Sequence, residues 1–189
     1  MASALQAARA QLKIATQNLA NVSTDGFRKT VARVALTGRG LAVGTSQSTE
    51  QGGIRQTGRP FDLALAGEGA FRVGGRLTRD GAFSRARDGY LVDDHGRKLE
   101  GADGPIRITA QARVERDGSV VDGGRVAGRI PLPAGTTIVT GALEASTVNA
   151  VDQTLAILTA QRAFETAQKT LVAIDATRQR AVDDVEQLK

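Results

Sequence analysis

Residues Asn149 to Leu188, NAVDQTLAILTAQRAFETAQKTLVAIDATRQRAVDDVEQL, decide the architecture of the chain. They read as one long helix carrying a seam. Ile157, Ala160, Phe164, Ala167, Leu171, Ile174, Ala181, Val185 and Leu188 follow the alternating three-and-four spacing of heptad a and d positions, interrupted only at Arg178. Asn149 stands where its side chain can cap the first free amides, with Asp152 three residues on in the capping-box position. Such a helix extends roughly 60 Å. A second stripe, Val151, Leu155 and Leu158, widens the apolar surface of its first turns. A seam needs a partner, and residues 1 to about 22 supply one, because Met1, Leu5, Ala8, Leu12, Ala15, Leu19 and Val22 keep the same alternation. The two ends of the chain are expected to pair with each other or with copies of each other.

Working inward, the first helix should stop where Asn21, Ser23, Asp25 and Gly26 offer turn chemistry, and Phe27 follows as an apolar plug. From 28 to 50 the pattern weakens. Val31, Val34 and Leu36 allow a short extended segment, while Gly38, Gly40, Gly44 and the Thr/Ser run predict a flexible linker. Between 51 and 140 the steps Asp80-Gly81, Asp88-Gly89, Asp103-Gly104, Asp117-Gly118 and Asp122-Gly123 separate brief apolar runs. That punctuation predicts hairpins with type I′ turns and so a small antiparallel β domain, with Phe61, Leu63, Leu65 and Phe71 in its core. The expected fold is α+β: terminal helices paired as a coiled coil over 1–27 and 141–189, a linker over 28–50 and the β domain over 51–140.

Composition narrows the functions. The 189 residues are 41% hydrophobic, enough for a core, but only 3% aromatic with no tryptophan, which leaves little material for base-stacking platforms. Cysteine is absent, so disulfides and thiolate metal sites are excluded. The net charge of +5 permits an anionic partner. Yet Arg28, Arg33, Arg39, Arg55, Arg59, Arg72, Arg76, Arg79, Arg85 and Arg87 are interleaved with glycines and acids, which reads as solvated surface. No apolar run reaches the roughly 18 residues of a membrane span, and no basic-apolar-small leader opens the chain. The lone histidine, His95, sits in a turn beside Asp93-Asp94, and Asp183-Asp184 reads as surface charge. Gly38 to Gly44 and Gly67-Glu68-Gly69 match phosphate loops poorly, since no strand precedes the first and no helix pattern follows the second. No catalytic, cofactor or metal site is expected.

Three stretches in order resemble the bacterial flagellar axial proteins, the basal-body rod and hook subunits. The first is Asn18-Leu19-Ala20-Asn21 followed by Gly26-Phe27. The second runs from Gln51 through Arg59-Pro60-Phe61-Asp62, Gly67-Glu68-Gly69-Ala70-Phe71 and Arg79-Asp80-Gly81 to Asp88-Gly89-Tyr90. The third is Gly141 to Asn149, including Glu144, Ser146 and Val148, followed by Gln161-Arg162-Ala163-Phe164-Glu165. Asp25 and Thr147 depart from the family pattern. The resemblance implies terminal helices forming an inner tube, a β domain forming an outer layer, and self-assembly with copies and other axial proteins into a drive shaft. It also implies export through the flagellum's own type III apparatus to the periplasmic or envelope space. Leu5, Leu12, Leu19 and Val22 with Ile157, Phe164, Leu171, Ile174, Val185 and Leu188 would then be the assembly seam. Two other readings compete: a basic coiled-coil module binding nucleic acid, and a small β-domain hydrolase using Asp93, Asp94 or Glu68.

Overall fold

The computed structural model describes residues 2–37 and 40–186, with side chains at all of these except 2–3, 34, 36–37, 40–43 and 181–186. Two compact units emerge. A helical unit takes the chain up to residue 20, 29–48, and 148 onward; a β unit takes 21–28 and 49–147. The division differs from the sequence expectation in that 21–27 and 141–147 belong with the strands, and 29–48 with the helices.

In the helical unit, α1 (Ala2–Ala20) and α2 (Ala150–Glu186) run antiparallel and touch. Asn18 Nδ2 donates to Gln153 Oε1 at 3.1 Å, and the Arg9 guanidinium lies 5.2 Å above the Phe164 ring. The most buried positions of α1 are Ala8, Ile14, Ala15 and Asn18, while Leu5, Leu12 and Leu19 are only half-buried. Small side chains therefore set the close approach, with Ala160 buried on the facing helix. The Asn149 carboxamide oxygen caps α2, accepting the amides of Val151 at 2.9 Å and Asp152 at 3.3 Å. Along α2 the hydroxyls of Thr154, Thr159, Thr166, Thr170 and Thr177 each donate 2.8 Å back to the carbonyl four residues earlier. These polar groups are satisfied without any partner chain.

The expected linker is instead a hairpin. β1 (Thr30–Thr37) pairs antiparallel with β2 (Gly40–Gln47), from Thr30 opposite Gln47 to Thr37 opposite Gly40. α1 packs on both strands. Gly44, Thr45 and Ser46 look flexible by composition, but a two-stranded ribbon is held by its ladder and by what it packs on, neither of which is local information. Gly38 and Arg39, which the sequence offered as part of a phosphate loop, lie outside the described residues.

Every strand pair of the β unit is antiparallel. The largest sheet orders Gly104–Pro105, Leu99–Gly101, Phe71–Val73 and Arg76–Thr78. Strand Leu63–Ala66 pairs with Thr137–Thr140, and Ile54–Gln56 with Ala142–Glu144, so the return of the chain closes on its entry. Alternation follows the pleat: Phe71 and Val73 are buried and Arg72 between them is exposed. Leu63, Leu65, Phe71, Leu91, Leu99, Val120 and Ile138 fill one core, with Phe71 and Phe83 packed edge to face at 5.3 Å and Phe61 packed partly buried at its margin.

The Asp-Gly steps do something other than expected. No non-glycine residue has positive φ among the described residues, so none of these steps is a type I′ turn. Two-residue turns with both residues left-handed fall at Gly74-Gly75 and Gly123-Gly124, whereas the two-residue turn Ala102-Asp103 between Gly101 and Gly104 has neither. Three of the aspartates instead accept the amide two residues on: Asp80 from Ala82 at 3.1 Å, Asp117 from Ser119 at 3.0 Å, and Asp88 from Tyr90 at 3.4 Å. They are Asx turns that set the chain direction between strands.

Gly26 is fixed twice over, by φ of +68° and by space, since a Cβ there would stand 2.3 Å from the backbone of Arg79 and Asp80. Gly26→Ala should therefore cost at least the ~1–3 kcal/mol of a left-handed non-glycine residue. The expected result is a lower urea midpoint with unchanged slope; an unchanged midpoint would show that this approach is not needed.

Candidate assembly surface and its anchors

The β unit is tied by one buried ion pair. The side chains of Arg79 and Glu144 are only 5% and 1% exposed, and their charged atoms meet at 2.8 Å. Arg79 Nε donates to Glu144 Oε2 at 2.8 Å, Nη1 to the carbonyls of Gly67 and Gly69 at 2.8 and 2.9 Å, and Nη2 to the carbonyl of Leu65 at 3.3 Å. Glu144 Oε1 accepts the Gly52 amide at 3.1 Å, and the Glu144 carbonyl accepts the Gly26 amide at 2.6 Å. Beside them the Gln51 carboxamide donates to Leu65 O and accepts Gly67 N. Arg79 is thus no solvated surface residue. The Gly67 and Gly69 carbonyls point at a cation, so this loop is not an amide cradle for phosphate.

Other motif residues have equally local tasks. The Asn18 carboxamide reaches across to Thr30, donating to its carbonyl and accepting its amide, both at 2.8 Å. One side chain therefore mimics a strand and joins α1 to β1 and, through Gln153, to α2. The Asn21 carbonyl accepts Thr24 N at 3.2 Å in the turn after α1. Val22, expected on the seam, lies in that turn beyond the helix. The Phe27 carbonyl accepts Thr147 N at 3.0 Å, one residue before Val148, which is buried. Asp62 is buried, binds Arg59 Nε at 2.8 Å, and its carbonyl receives the Gly141 amide at 2.8 Å. Gly81 lies under strand Leu63–Ala66, where a Cβ would stand 1.7 Å from Leu63 O.

The remaining motif and seam residues have less to do inside the chain. Ile157, Phe164, Leu171 and Ile174 are half-buried, in step with the predicted spacing. Gln161, Arg162, Ala163 and Glu165 are exposed, and so is the second stripe, with Val151 at 67%, Leu155 at 58% and Leu158 at 47%. Leu188 lies outside the described residues, as does the Val185 side chain. Ile14, Asn18 and Gln153 were not read as packing positions; the only signal for Asn18 was its place in the Asn-Leu-Ala-Asn motif.

Asp93, Asp94 and His95 bring ligand atoms within 4.8 Å of one another. The Asp93 carboxylate is already engaged, however, accepting the amides of His95 and Arg97 at 3.0 and 2.8 Å and Arg97 Nε at 2.7 Å. His95 is exposed and pairs with Asp94. Burial would raise the Asp93 carboxyl, but the Arg97 amide and guanidinium and the His95 amide outweigh it and hold it below the ordinary range. Asp80 goes the other way. Burial pushes it up against the opposing Ala82 amide, and the carboxylates of Asp94, Asp25 and Asp93 add to the rise.

Two predictions follow from these groups. Removing one partner of the buried pair, as in Glu144→Ala, should cost ~3–5 kcal/mol by leaving Arg79 unpaired; a loss near zero in urea unfolding would remove the pair from its central place. The aspartates should show opposite pH trends. A depressed carboxyl stabilises above its unfolded value, about 4, and loses that as pH falls through the folded value; a raised one favours the fold at low pH and loses that as pH rises. The advantage of wild type over Asp93→Asn should therefore shrink on acidification from pH 7. Asp80→Asn should compare most favourably with wild type at pH 7 and less so near pH 3. Parallel pH curves for wild type and variants would contradict both assignments.

Comparison with known proteins matches both ends of the chain. Residues 1–28 match the family model described as flagella basal body rod protein, and residues 139–183 the one described as flagellar basal body rod FlgEFG protein C-terminal. The flagellar basal-body rod protein FlgF of Caulobacter vibrioides is 30% identical, covering 86% of this chain and 86% of its own length. FlgF of Mesorhizobium japonicum is 29% identical with the same coverage, and the rod protein FlgG of Bacillus subtilis is 25% identical across 92% of each chain. With both ends matched to family models and a relative 30% identical over 86% of each chain, the chain belongs to the flagellar basal-body rod protein family and is a structural subunit of that rod.

Proposed function

We propose that this subunit works by assembly, without turnover: its helical unit pairs as a coiled coil and polymerises as the inner layer of the rod, and its β unit forms the outer layer. The observation that carries this reading is the apolar surface left on α2. Ile157, Phe164, Leu171 and Ile174 are only half-buried on a helix that also leaves Val151, Leu155, Leu158 and Val172 exposed. A monomer gains little from leaving such a surface in water, whereas copies and other rod or hook proteins stacked along the shaft would cover it. Ala8, Ala15, Ala160 and Ala167 favour close helix approach in such a wall.

No helix of the described residues is long and apolar enough to cross a membrane. The site of action in this reading is the basal body on the periplasmic or envelope side, reached through the flagellar type III apparatus. The nucleic-acid and hydrolase readings gain nothing from the relatives, and of the carboxylates named for the second, Asp93 is engaged by Arg97 and Asp94 pairs with His95 on the surface.

Leu171→Asp should abolish polymerisation, measured by sedimentation and negative-stain microscopy, while leaving the β unit folded. A buried unpaired charge costs several kcal/mol, enough to reverse marginal association. Polymers of normal length and yield from this variant would contradict the seam assignment.

A further inference from the structure

The two helices differ in length, and their register shows where the longer one runs free. Asn18 meets Gln153 and Arg9 meets Phe164, in antiparallel order. The seven residues from Arg9 back to Ala2 then bring the start of α1 level with about Leu171. From Val172 to Glu186, α2 continues with no helix alongside among the described residues of its own chain, over about 22 Å. The seam does not stop there: Ile174, Ala181 and Val185 keep its spacing in the sequence, and Val172 is 68% exposed.

Charge says what covers it. The overhang carries Asp175, Asp183, Asp184 and Glu186 against Arg178 and Arg180, a net of −2, whereas α1 carries Arg9 and Lys13 and no acidic residue. The exposed stripe at the start of α2 carries Asp152, which would repel an acidic segment. α1 also offers Leu5, Leu12 and Leu19, three residues spaced by seven and only half-buried against their own chain.

We propose that the overhang of one copy seats on the Leu5–Leu12–Leu19 row of α1 in a second copy. The antiparallel α1–α2 contact made within a chain thereby continues between chains. The contact is heterologous, joining the far end of one helix to a different surface of the next copy, so it can propagate from copy to copy as an open filament wherever the rotation does not close a ring. It rests on the assembly reading above and names which surfaces meet.

The test exploits the absence of cysteine. Full-length Ile174→Cys is mixed with Leu12→Cys or with Leu19→Cys, polymerised and oxidised; a disulfide joining the two variants is necessarily between copies and requires Cα atoms within about 4.4–6.8 Å. Ile174→Cys mixed with Val151→Cys or Leu155→Cys probes the competing seat. The expected result is the Ile174–Leu12 or Ile174–Leu19 heterodimer in several-fold excess over homodimers, and none with Val151 or Leu155. A polymer without the α1 cross-link, or with the link only to Val151 or Leu155, overturns this docking and leaves the assembly reading standing. Failure of the unsubstituted chain to polymerise alone or with rod partners overturns the assembly reading, and this docking with it.

Discussion

The β unit depends on the Arg79–Glu144 pair. A guanidinium in the interior needs its donors answered, and here they are answered by a carboxylate and three backbone carbonyls, two of them at the glycines Gly67 and Gly69. The carboxylate in turn holds the Gly52 amide, and its backbone holds Gly26. Segments separated by up to about a hundred residues thus converge on one pair of charges. Apolar residues of similar volume could hold these segments as tightly, but they would not specify the same hydrogen-bonded arrangement of loops. This explains why the neighbourhood is rich in glycine: Gly26, Gly52 and Gly81 each lie where a Cβ would meet the backbone of a segment distant in sequence or of strand Leu63–Ala66.

The helical unit follows a different logic. Its contacts are made by alanines, Ile14 and one asparagine clamp, with most of its larger apolar side chains left half-covered or exposed. Such a unit has few buried apolar contacts to stabilise it alone, and much surface to gain from neighbours. The threonines of α2 bond to their own helix, so the outward face holds few unsatisfied groups to oppose burial. A chain with a self-sufficient β unit and an incomplete helical unit suits a part that matures by joining a larger body.

The sequence disclosed what is periodic and local. The length of α2, its Asn149 cap, the turn at Gly26 and the apolar core around Leu63, Leu65 and Phe71 all rest on spacing or on one residue's conformational freedom. The hairpin over Thr30–Gln47 was hidden because its second strand is broken by glycine and ends in small polar residues, and the ribbon packs on α1, which is not local information. Arg79 read as surface because nothing local distinguishes it from Arg76 or Arg85; its partner lies 65 residues away. The Asp-Gly steps marked the right places for turns but not their type, since an aspartate serves as well by accepting an amide as by taking positive φ.

The central claim of the proposed assembly is that the β unit is complete in the single chain while the second half of α2 is stabilised only when other subunits cover it. Hydrogen exchange on dilute monomer and on assembled material tests it most directly. The account predicts that amides of Leu63–Ala66, Phe71–Val73 and Ala142–Glu144 are protected in both states, while those from Val172 to Glu186 exchange fast in the monomer and slowly after assembly. Strong protection of Val172 to Glu186 in the dilute monomer, unchanged on assembly, would contradict it.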